Sequence, residues 1–118
     1  METRPYVRWE LMNSFLIDAF KGYGVPEDDA KICADVLLES DRRGIESHGC
    51  NRFKPIYIDR IVNGTLLPET KMDIVKDTPT TVVMDANNGM GMVASYHMME
   101  MLIEKAAKYG MAGGAVYN

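Results

Sequence analysis

The reactive side chains of this chain concentrate in one glycine-bounded run, Asp41-Arg42-Arg43-Gly44-Ile45-Glu46-Ser47-His48-Gly49-Cys50-Asn51-Arg52-Phe53. Gly44 and Gly49 can adopt backbone angles closed to other residues, so the run predicts a sharp bend that presents His48. Histidine titrates closest to neutral pH, which suits it to proton transfer. If a helix covers this part of the run, Arg52 lies on the same face as His48. A proton donor beside a planar cation suits a reaction at a carbonyl next to a carboxylate.

The composition is that of an ordinary globular domain. The chain has 118 residues, of which 47% are hydrophobic and 25% charged. Its net charge of -4 argues against non-specific binding of nucleic acid, which requires a basic face. No apolar run approaches the roughly 20 residues that span a bilayer. Residues 1–5 show no signal-peptide core, so we expect a cytoplasmic protein without a membrane segment.

Three helices are predicted before residue 64. The first covers about Val7 to Tyr23, the second opens at Val25-Pro26-Glu27, and the third covers Asn51 to Val62. Pro55 is tolerated only in a first turn, so the regular part of the third helix is expected to begin near Lys54. The residues expected to face inward are Leu11, Phe15, Ile17 and Phe20 in the first helix, Ile32, Cys33, Val36 and Leu37 in the second, and Phe53, Ile56, Tyr57 and Ile61 in the third.

The periodicity changes after residue 64. Met72–Lys76 and Thr80–Asp85 read as strands, a helix follows over Met92–Tyr109, and residues 112–118 begin another strand. The inward stripe predicted for this long helix is Met92, Tyr96, Met99 and Ile103. The sequence therefore predicts an α+β fold: a helical unit over residues 1–64, then the beginning of a mixed sheet domain with a long packed helix over residues 65–118. A strand that runs to the last residue predicts a fragment of a longer domain.

The two cysteines raise two alternatives, a metal site and a cysteine nucleophile, and the spacing disfavours both. Neither belongs to a CxxC pair or has histidines at ligand spacing, so no zinc or other metal site is expected. Cys33 falls in an apolar stripe and is predicted to be a buried small hydrophobe. A Cys50 nucleophile paired with His48 is disfavoured because residues two apart on a helix do not face each other.

Other candidate residues have structural explanations. The Gly89-x-Gly91 pair lacks the third glycine of a dinucleotide fingerprint, so a helix-start turn is favoured over a phosphate loop. His97 lies in mid-helix and is predicted to be a structural or surface histidine. Tyr57 is predicted to be a packed ring. Arg42 and Arg43 are expected to be solvated or paired with the preceding acids.

The run Asp41–Gly49, followed by Asn51-Arg52-Phe53, resembles the signature of the malate/L-lactate dehydrogenase family of NAD(P)-dependent oxidoreductases. This family is distinct from the Rossmann-fold enzymes of similar name and includes ureidoglycolate dehydrogenase and 2,3-diketogulonate reductase. The resemblance continues through Ile61-Val62-Asn63-Gly64, the Asp85–Gly91 turn and Lys105-Ala106-Ala107-Lys108-Tyr109-Gly110. It therefore covers nearly the whole chain.

The resemblance implies a function for the reactive run. His48 would donate a proton to a substrate carbonyl, Ser47 and Arg52 would line the substrate pocket, and NADH or NADPH would supply hydride to give a 2-hydroxy acid. It also implies a homodimer, with a second histidine segment and the cofactor-binding domain lying beyond these residues. No cofactor-binding residue is assigned, and the 118 residues alone are expected to be inactive. The alternative is a non-catalytic binding or assembly module.

Ten methionines are unusual for this length, and five of them lie between Met90 and Met101. Methionine fills irregular apolar spaces, so core packing or a subunit interface is expected there. The methionine-rich helix is therefore a candidate for contacts between subunits.

Overall fold

The computed structural model describes residue 3 and residues 5–118; Met1, Glu2 and Arg4, on which part of the signal-peptide argument rests, lie outside the described residues. The chain folds into helices and a small three-stranded mixed sheet, so the predicted α+β class is confirmed. The helices are α1 (Trp9–Gly22), α2 (Glu27–Arg42), α3 (Asp59–Val62) and α4 (Gly91–Tyr109); the strands are β1 (Asp73–Asp77), β2 (Thr81–Asp85) and β3 (Gly113–Tyr117).

Helices α1 and α2 pack against each other and form most of the first core. Leu16 and Phe20 of α1 are buried there, together with five residues of α2: Ala30, Cys33, Ala34, Leu37 and Leu38. The predicted stripe of α1 is wrong in part, because Leu11 and Phe15 are 64% and 56% exposed. Apolar residues cover more than half of this helix, and α2 covers only the side that carries Leu16 and Phe20.

The predicted third helix is present but irregular, and its regular α-helical part begins at Asp59, so the predicted start near Lys54 is wrong. Two 3₁₀ turns, Glu46–His48 and Cys50–Arg52, lead into a π-helical turn over Phe53–Ile58 and then into α3. Pro55 lies inside the π-helical turn. A proline has no N–H to donate and its ring crowds the carbonyl four residues back, so a regular α-helical turn is disfavoured there. The predicted inward positions Phe53, Tyr57 and Ile61 pack against the first core, as expected.

The sheet has the order β1-β2-β3. Strand β2 pairs antiparallel with β1 and parallel with β3, which confirms the predicted strands and the mixed sheet. The register of β1 shifts between Ile74 and Lys76. Only the central strand is buried on alternate residues, Val82 and Met84, and all five residues of β1 are exposed.

Helix α4 joins two cores, but through a different face from the one predicted. Val93 packs in the first core, whereas Ala94 and Met98 pack with Val82 and Met84 in a second core above the sheet. The predicted stripe lies mainly on the outside: Tyr96, Met99 and Ile103 are 45%, 55% and 61% exposed. Apolar residues occupy two sides of α4, and the sheet and α2 together select the side of Val93, Ala94 and Met98.

Among the described residues, no helix combines the length and the apolar character needed to cross a membrane.

Candidate active site

The reactive run forms a short loop that leaves the C-terminus of α2. The backbone turns at Gly44, whose φ of 76° lies in the left-handed region, as the glycine predicted. The N–H of Gly44 donates to the Asp41 carbonyl at 3.0 Å, and the N–H of Ile45 donates to the Ser40 carbonyl at 2.8 Å. These bonds satisfy carbonyls at the end of α2, so the bend is an extension of the helix.

Gly49 has a different role from Gly44. Its φ is -95°, so its backbone is not left-handed. It is buried against the carboxylate of Asp41, and a Cβ on Gly49 would lie 1.7 Å from Asp41 Oδ1. The other carboxylate oxygen, Oδ2, accepts a hydrogen bond from the N–H of Cys50 at 2.9 Å. Glycine is required here for close approach.

His48 is presented on the outside of this loop. Its side chain is exposed, and its Nδ1 lies 2.9 Å from the hydroxyl oxygen of Ser47. Which atom donates depends on the tautomer of the ring. Because Nδ1 is engaged by Ser47, Nε2 is the ring nitrogen open to a ligand. The arrangement can hold or move one proton at a surface-accessible position.

Arg52 reaches back to the same residue. Its Nε donates to the backbone carbonyl of Ser47 at 2.7 Å. The hypothesis that one helix places His48 and Arg52 on a shared face is wrong, because the two residues lie in separate 3₁₀ turns interrupted at Gly49. They are brought together by Ser47, which contacts both side chains. With Nε occupied, the terminal amino groups of the guanidinium remain to bind a planar anion.

Arg42 and Arg43, the other cations of the run, pair with one acid, as expected. Arg43 Nε lies 2.7 Å from Glu39 Oε1, and Arg42 Nη1 lies 3.7 Å from Glu39 Oε2. The hydrogen bond from Arg43 lowers the pKa of Glu39. The two guanidiniums are thus partly neutralised on α2, which leaves Arg52 as the arginine directed to the His48 loop.

The structure does not favour Cys50 as a nucleophile. Burial, followed by a hydrogen bond to Asp41 and the charge of that carboxylate, raises the pKa of the Cys50 thiol to about 12. A nucleophilic cysteine needs the opposite shift, towards the thiolate. Cys33 is fully buried, as predicted, and burial raises its pKa to about 12 as well.

The Gly89-x-Gly91 segment is a helix-start turn, as predicted. Helix α4 begins at Gly91, and the N–H of Met90 donates to Thr70 Oγ1 at 2.9 Å. A Cβ on Gly89 would lie 2.8 Å from Thr70 Cα. The close approach at Gly89 is therefore to Thr70, while on another side Gly89 and Gly91 line an open groove at the start of α4.

His97 and Tyr57 both lie outside the His48 loop. The ring of His97 contacts Glu100 on the same helix, with Nδ1 at 2.9 Å from Oε2. It remains a half-exposed histidine on α4. Tyr57 is a packed ring, as predicted, 6.3 Å from the ring centroid of Phe20, and burial raises its pKa.

An open groove of about 720 Å³ lies between α2, α3 and the start of α4. Its lining includes Tyr57, Arg60, Asn88 and Tyr96, and does not include Ser47, His48 or Arg52. Within the described part of the chain, no three acidic, histidine or cysteine residues are grouped so as to hold a metal ion.

Asp41 is the residue of this loop whose contacts the sequence did not predict. Its partners Gly49 and Cys50 follow eight and nine residues later, a spacing with no regular meaning. The acidic residue and the glycine were both visible in the run, but their contact depends on how the loop folds back on α2.

The comparison with known proteins identifies the family. A model of the malate/L-lactate dehydrogenase family matches residues 7–118. The chain belongs to this family. The resemblance seen in the Asp41–Phe53 run is therefore confirmed.

Individual members of the malate/L-lactate dehydrogenase family support this assignment. The chain is 43% identical to the L-sulfolactate dehydrogenase of Methanocaldococcus jannaschii over 103 residues, which are 87% of the chain and 30% of that enzyme. It is 41% identical to a malate dehydrogenase of Pyrococcus abyssi over 105 residues, 89% of the chain and 29% of the relative. The malate dehydrogenase structure from Entamoeba histolytica superposes with a TM-score of 0.92 at 39% identity, covering 97% of this chain and 32% of that one.

The chain thus spans about 30% of the length of the curated relatives that it matches. What lies in this third of the family architecture is the helical unit with the His48 loop, the first strands and helix α4.

Proposed function

We propose that this chain provides the proton-donating and carboxylate-binding part of an NAD(P)-dependent oxidoreductase that interconverts a 2-oxo acid and a 2-hydroxy acid. The observation that carries the proposal is that His48 and Arg52 are both organised on Ser47, one through its hydroxyl and the other through its carbonyl. The names of the relatives, which are malate, sulfolactate and hydroxycarboxylate dehydrogenases, agree with this substrate class.

The chemistry assigned to His48 is transfer of one proton. In the direction of reduction, the protonated imidazole donates from Nε2 to the carbonyl oxygen of the 2-oxo acid and becomes neutral. When bound, NADH or NADPH would supply the hydride for the new C–H bond. Proton donation offsets the negative charge that develops on oxygen, and general acid catalysis of this kind contributes roughly 10²–10⁴-fold to a rate.

Arg52 is assigned the substrate carboxylate. Its planar fork can bind the two carboxylate oxygens with two parallel hydrogen bonds, and its Nε anchor on Ser47 fixes the plane of the fork. Ser47 is assigned to the pocket wall, where its hydroxyl orients the imidazole of His48. A substrate whose carbonyl adjoins its carboxylate would then meet both side chains at once.

No nucleotide-binding residue is assigned among the described residues. The turn before α4 lacks the third glycine of a dinucleotide fingerprint, and the N–H of Met90 is already bonded to the hydroxyl of Thr70. We therefore assign no step of cofactor binding to the residues of this chain.

The assembly is proposed to be a cytoplasmic homodimer. The exposed face of α4 that carries Tyr96, Met99 and Ile103 is our candidate for contacts with the second subunit. Removing these three apolar side chains from water would favour association of two subunits.

A chimera tests the proposed function. This chain replaces the matching segment of the Methanocaldococcus jannaschii L-sulfolactate dehydrogenase, and oxidation of NADH and NADPH is followed with 2-oxo acids as substrates. The His48→Asn variant is expected to lower kcat by about 10²-fold or more. The Arg52→Lys variant is expected to raise KM for the 2-oxo acid, because an ammonium cannot reproduce the bidentate fork.

The matched control is His97→Gln, which changes the other histidine of the chain and should leave both kinetic parameters unchanged. Circular dichroism of each chimera against the parent enzyme checks that the variants are folded. A folded His48→Asn chimera that retains the full rate would remove His48 from the mechanism.

A further inference from the structure

We propose that Asp41 is a positioning residue for the His48 loop, because it ties the beginning and the end of that loop to the last turn of α2. Its purpose in catalysis rests on the function proposed above, whereas its mechanical role can be measured without substrate.

The backbone of Asp41 holds the start of the loop. Its carbonyl accepts a hydrogen bond from the N–H of Gly44 at 3.0 Å, which closes the turn that begins at the end of α2. The preceding residue, Ser40, likewise accepts from Ile45 at 2.8 Å. The loop therefore leaves the helix in a defined direction.

The carboxylate of Asp41 holds the end of the loop. Its Oδ2 accepts from the N–H of Cys50 at 2.9 Å. Its Oδ1 and Cγ occupy the place of a side chain on Gly49, at 1.7 Å and 2.2 Å from where a Cβ would stand. One aspartate thus fixes both ends of the loop.

The part of the loop between these anchors is a single 3₁₀ turn, to which Arg52 Nε adds a hydrogen bond at the Ser47 carbonyl, 2.7 Å away. The N–H of His48 donates to Ile45 at 3.0 Å, and the N–H of Gly49 donates to Glu46 at 3.3 Å, as in a single 3₁₀ turn. Ser47 and His48 are exposed, so no core packing fixes their side chains. The direction in which His48 points therefore depends on the Asp41 anchors on either side of it, together with the contacts of Ser47 to His48 and Arg52.

A spectroscopic comparison tests this role in the 118-residue chain. Imidazole resonances of His48 are recorded by heteronuclear NMR in the wild type and in Asp41→Asn, Asp41→Ala and Asp35→Asn. Asp35 is an exposed acid on the same helix and provides the matched control. His97, far from the loop in sequence, is the internal reference in every spectrum.

The three variants are expected to change the His48 resonances to different extents. Asp41→Ala shifts and broadens the His48 resonances and leaves those of His97 in place, and Asp35→Asn changes neither. Asp41→Asn keeps an oxygen that can accept from Cys50, so it is expected to restore most of the wild-type His48 signal. A folded Asp41→Ala chain whose His48 resonances match the wild type would overturn the proposal. If Asp41→Ala does not fold, Gly49→Ala decides, because its Cβ would lie 1.7 Å from Asp41 Oδ1 and displace the carboxylate: His48 resonances that match the wild type would then overturn the proposal.

The alkylation rate of Cys50 is a second measurement, which reports whether the Asp41 carboxylate lies beside the thiol. Removing the negative carboxylate favours the thiolate, so we expect about a tenfold faster reaction of Cys50 at a fixed pH. The asparagine variant removes the charge alone and should also accelerate the reaction. Cys33, which is fully buried, should stay unreactive in the same samples.

These readouts separate the present inference from the proposed function. Altered His48 signals together with a chimera that never oxidises NAD(P)H would support the positioning role of Asp41 and reject the proposed oxidoreductase function. Unaltered His48 signals together with a chimera whose activity depends on His48 would reject only the positioning role of Asp41.

Discussion

The guanidinium of Arg52 donates from Nε to the backbone carbonyl of Ser47 at 2.7 Å, across the glycine that separates their two 3₁₀ turns. The same serine contacts the imidazole of His48 through its hydroxyl. An acid-base group and a planar cation are thereby connected through one residue, and a change at Arg52 should be felt in the loop itself as well as in ligand binding.

The first prediction concerns the stability of this contact. Arg52→Lys removes the Nε–H donor, and we expect the free energy of unfolding to fall by about 0.5–1 kcal/mol, the usual value of one hydrogen bond. Chemical denaturation of the 118-residue chain measures it. Arg42→Lys is the control, because the Arg42 guanidinium is exposed and 3.7 Å from its partner Glu39. Equal losses in the two variants would contradict a specific Arg52–Ser47 contact.

The second prediction concerns two glycines at the start of α4, Gly89 just before it and Gly91 as its first residue. Gly89→Ala places a Cβ 2.8 Å from Thr70 Cα, a backbone atom that cannot move away alone, so we expect a loss of about 1–3 kcal/mol. Gly91→Ala meets nothing within 4 Å at the first turn of α4, and we expect it to be neutral or to stabilise by up to about 1 kcal/mol. Thermal unfolding of the pair measures both effects. A cost at Gly91 as large as that at Gly89 would mean that the turn has a role beyond starting the helix.

The order of helices and strands could be predicted because each element carries its own periodicity. Helix α4 begins one residue before its predicted start, and the two β1–β2 strands and the following parallel strand are present. The irregular helical stretch around Pro55 was harder to predict. A proline indicates that a regular helix is disturbed, but whether the chain then forms a 3₁₀ or a π-helical turn depends on the packing of its neighbours.

The inward faces of α1 and α4 could not be read from the sequence. Both helices have apolar residues on two sides, and burial is decided by the partner that packs on each side. Phe15 and Met99 fit an amphipathic stripe as well as Leu16 and Met98 do, yet the first pair is exposed and the second buried. The contact between Asp41 and Gly49 was unpredictable for a similar reason, since it forms only when the loop returns to α2.

The third prediction compares two adjacent methionines of α4. Met98 is 4% exposed in the core above the sheet, so Met98→Ala should cost about 2–5 kcal/mol. Met99 is 55% exposed, and Met99→Ala should change the free energy of unfolding by less than about 0.5 kcal/mol. Urea denaturation at one protein concentration measures both. The reverse order would mean that α4 is turned towards the stripe predicted from its sequence.

The fourth prediction is a loss of stability at alkaline pH. Burial raises the pKa of Cys33 from its ordinary value of 9.0 to about 12, so the folded chain holds this proton after the unfolded chain has released it. A folded pKa above the unfolded one gives stability that is complete below pH 9 and lost as the pH rises from 9.0 to about 12. Cys50 shifts in the same direction to about 12, and the raised pKa of Tyr57 adds to the effect at higher pH.

Urea unfolding as a function of pH measures this loss, and Cys33→Ala isolates the contribution of one thiol. The variant is expected to be less stable at neutral pH, because it removes a buried side chain, but its stability should fall less steeply above pH 9 than that of the wild type. Parallel curves of unfolding free energy against pH for the two chains would show that Cys33 binds its proton equally in the folded and unfolded states. The sign is decisive, since a thiol activated towards the thiolate would make the folded chain more stable as the pH rises.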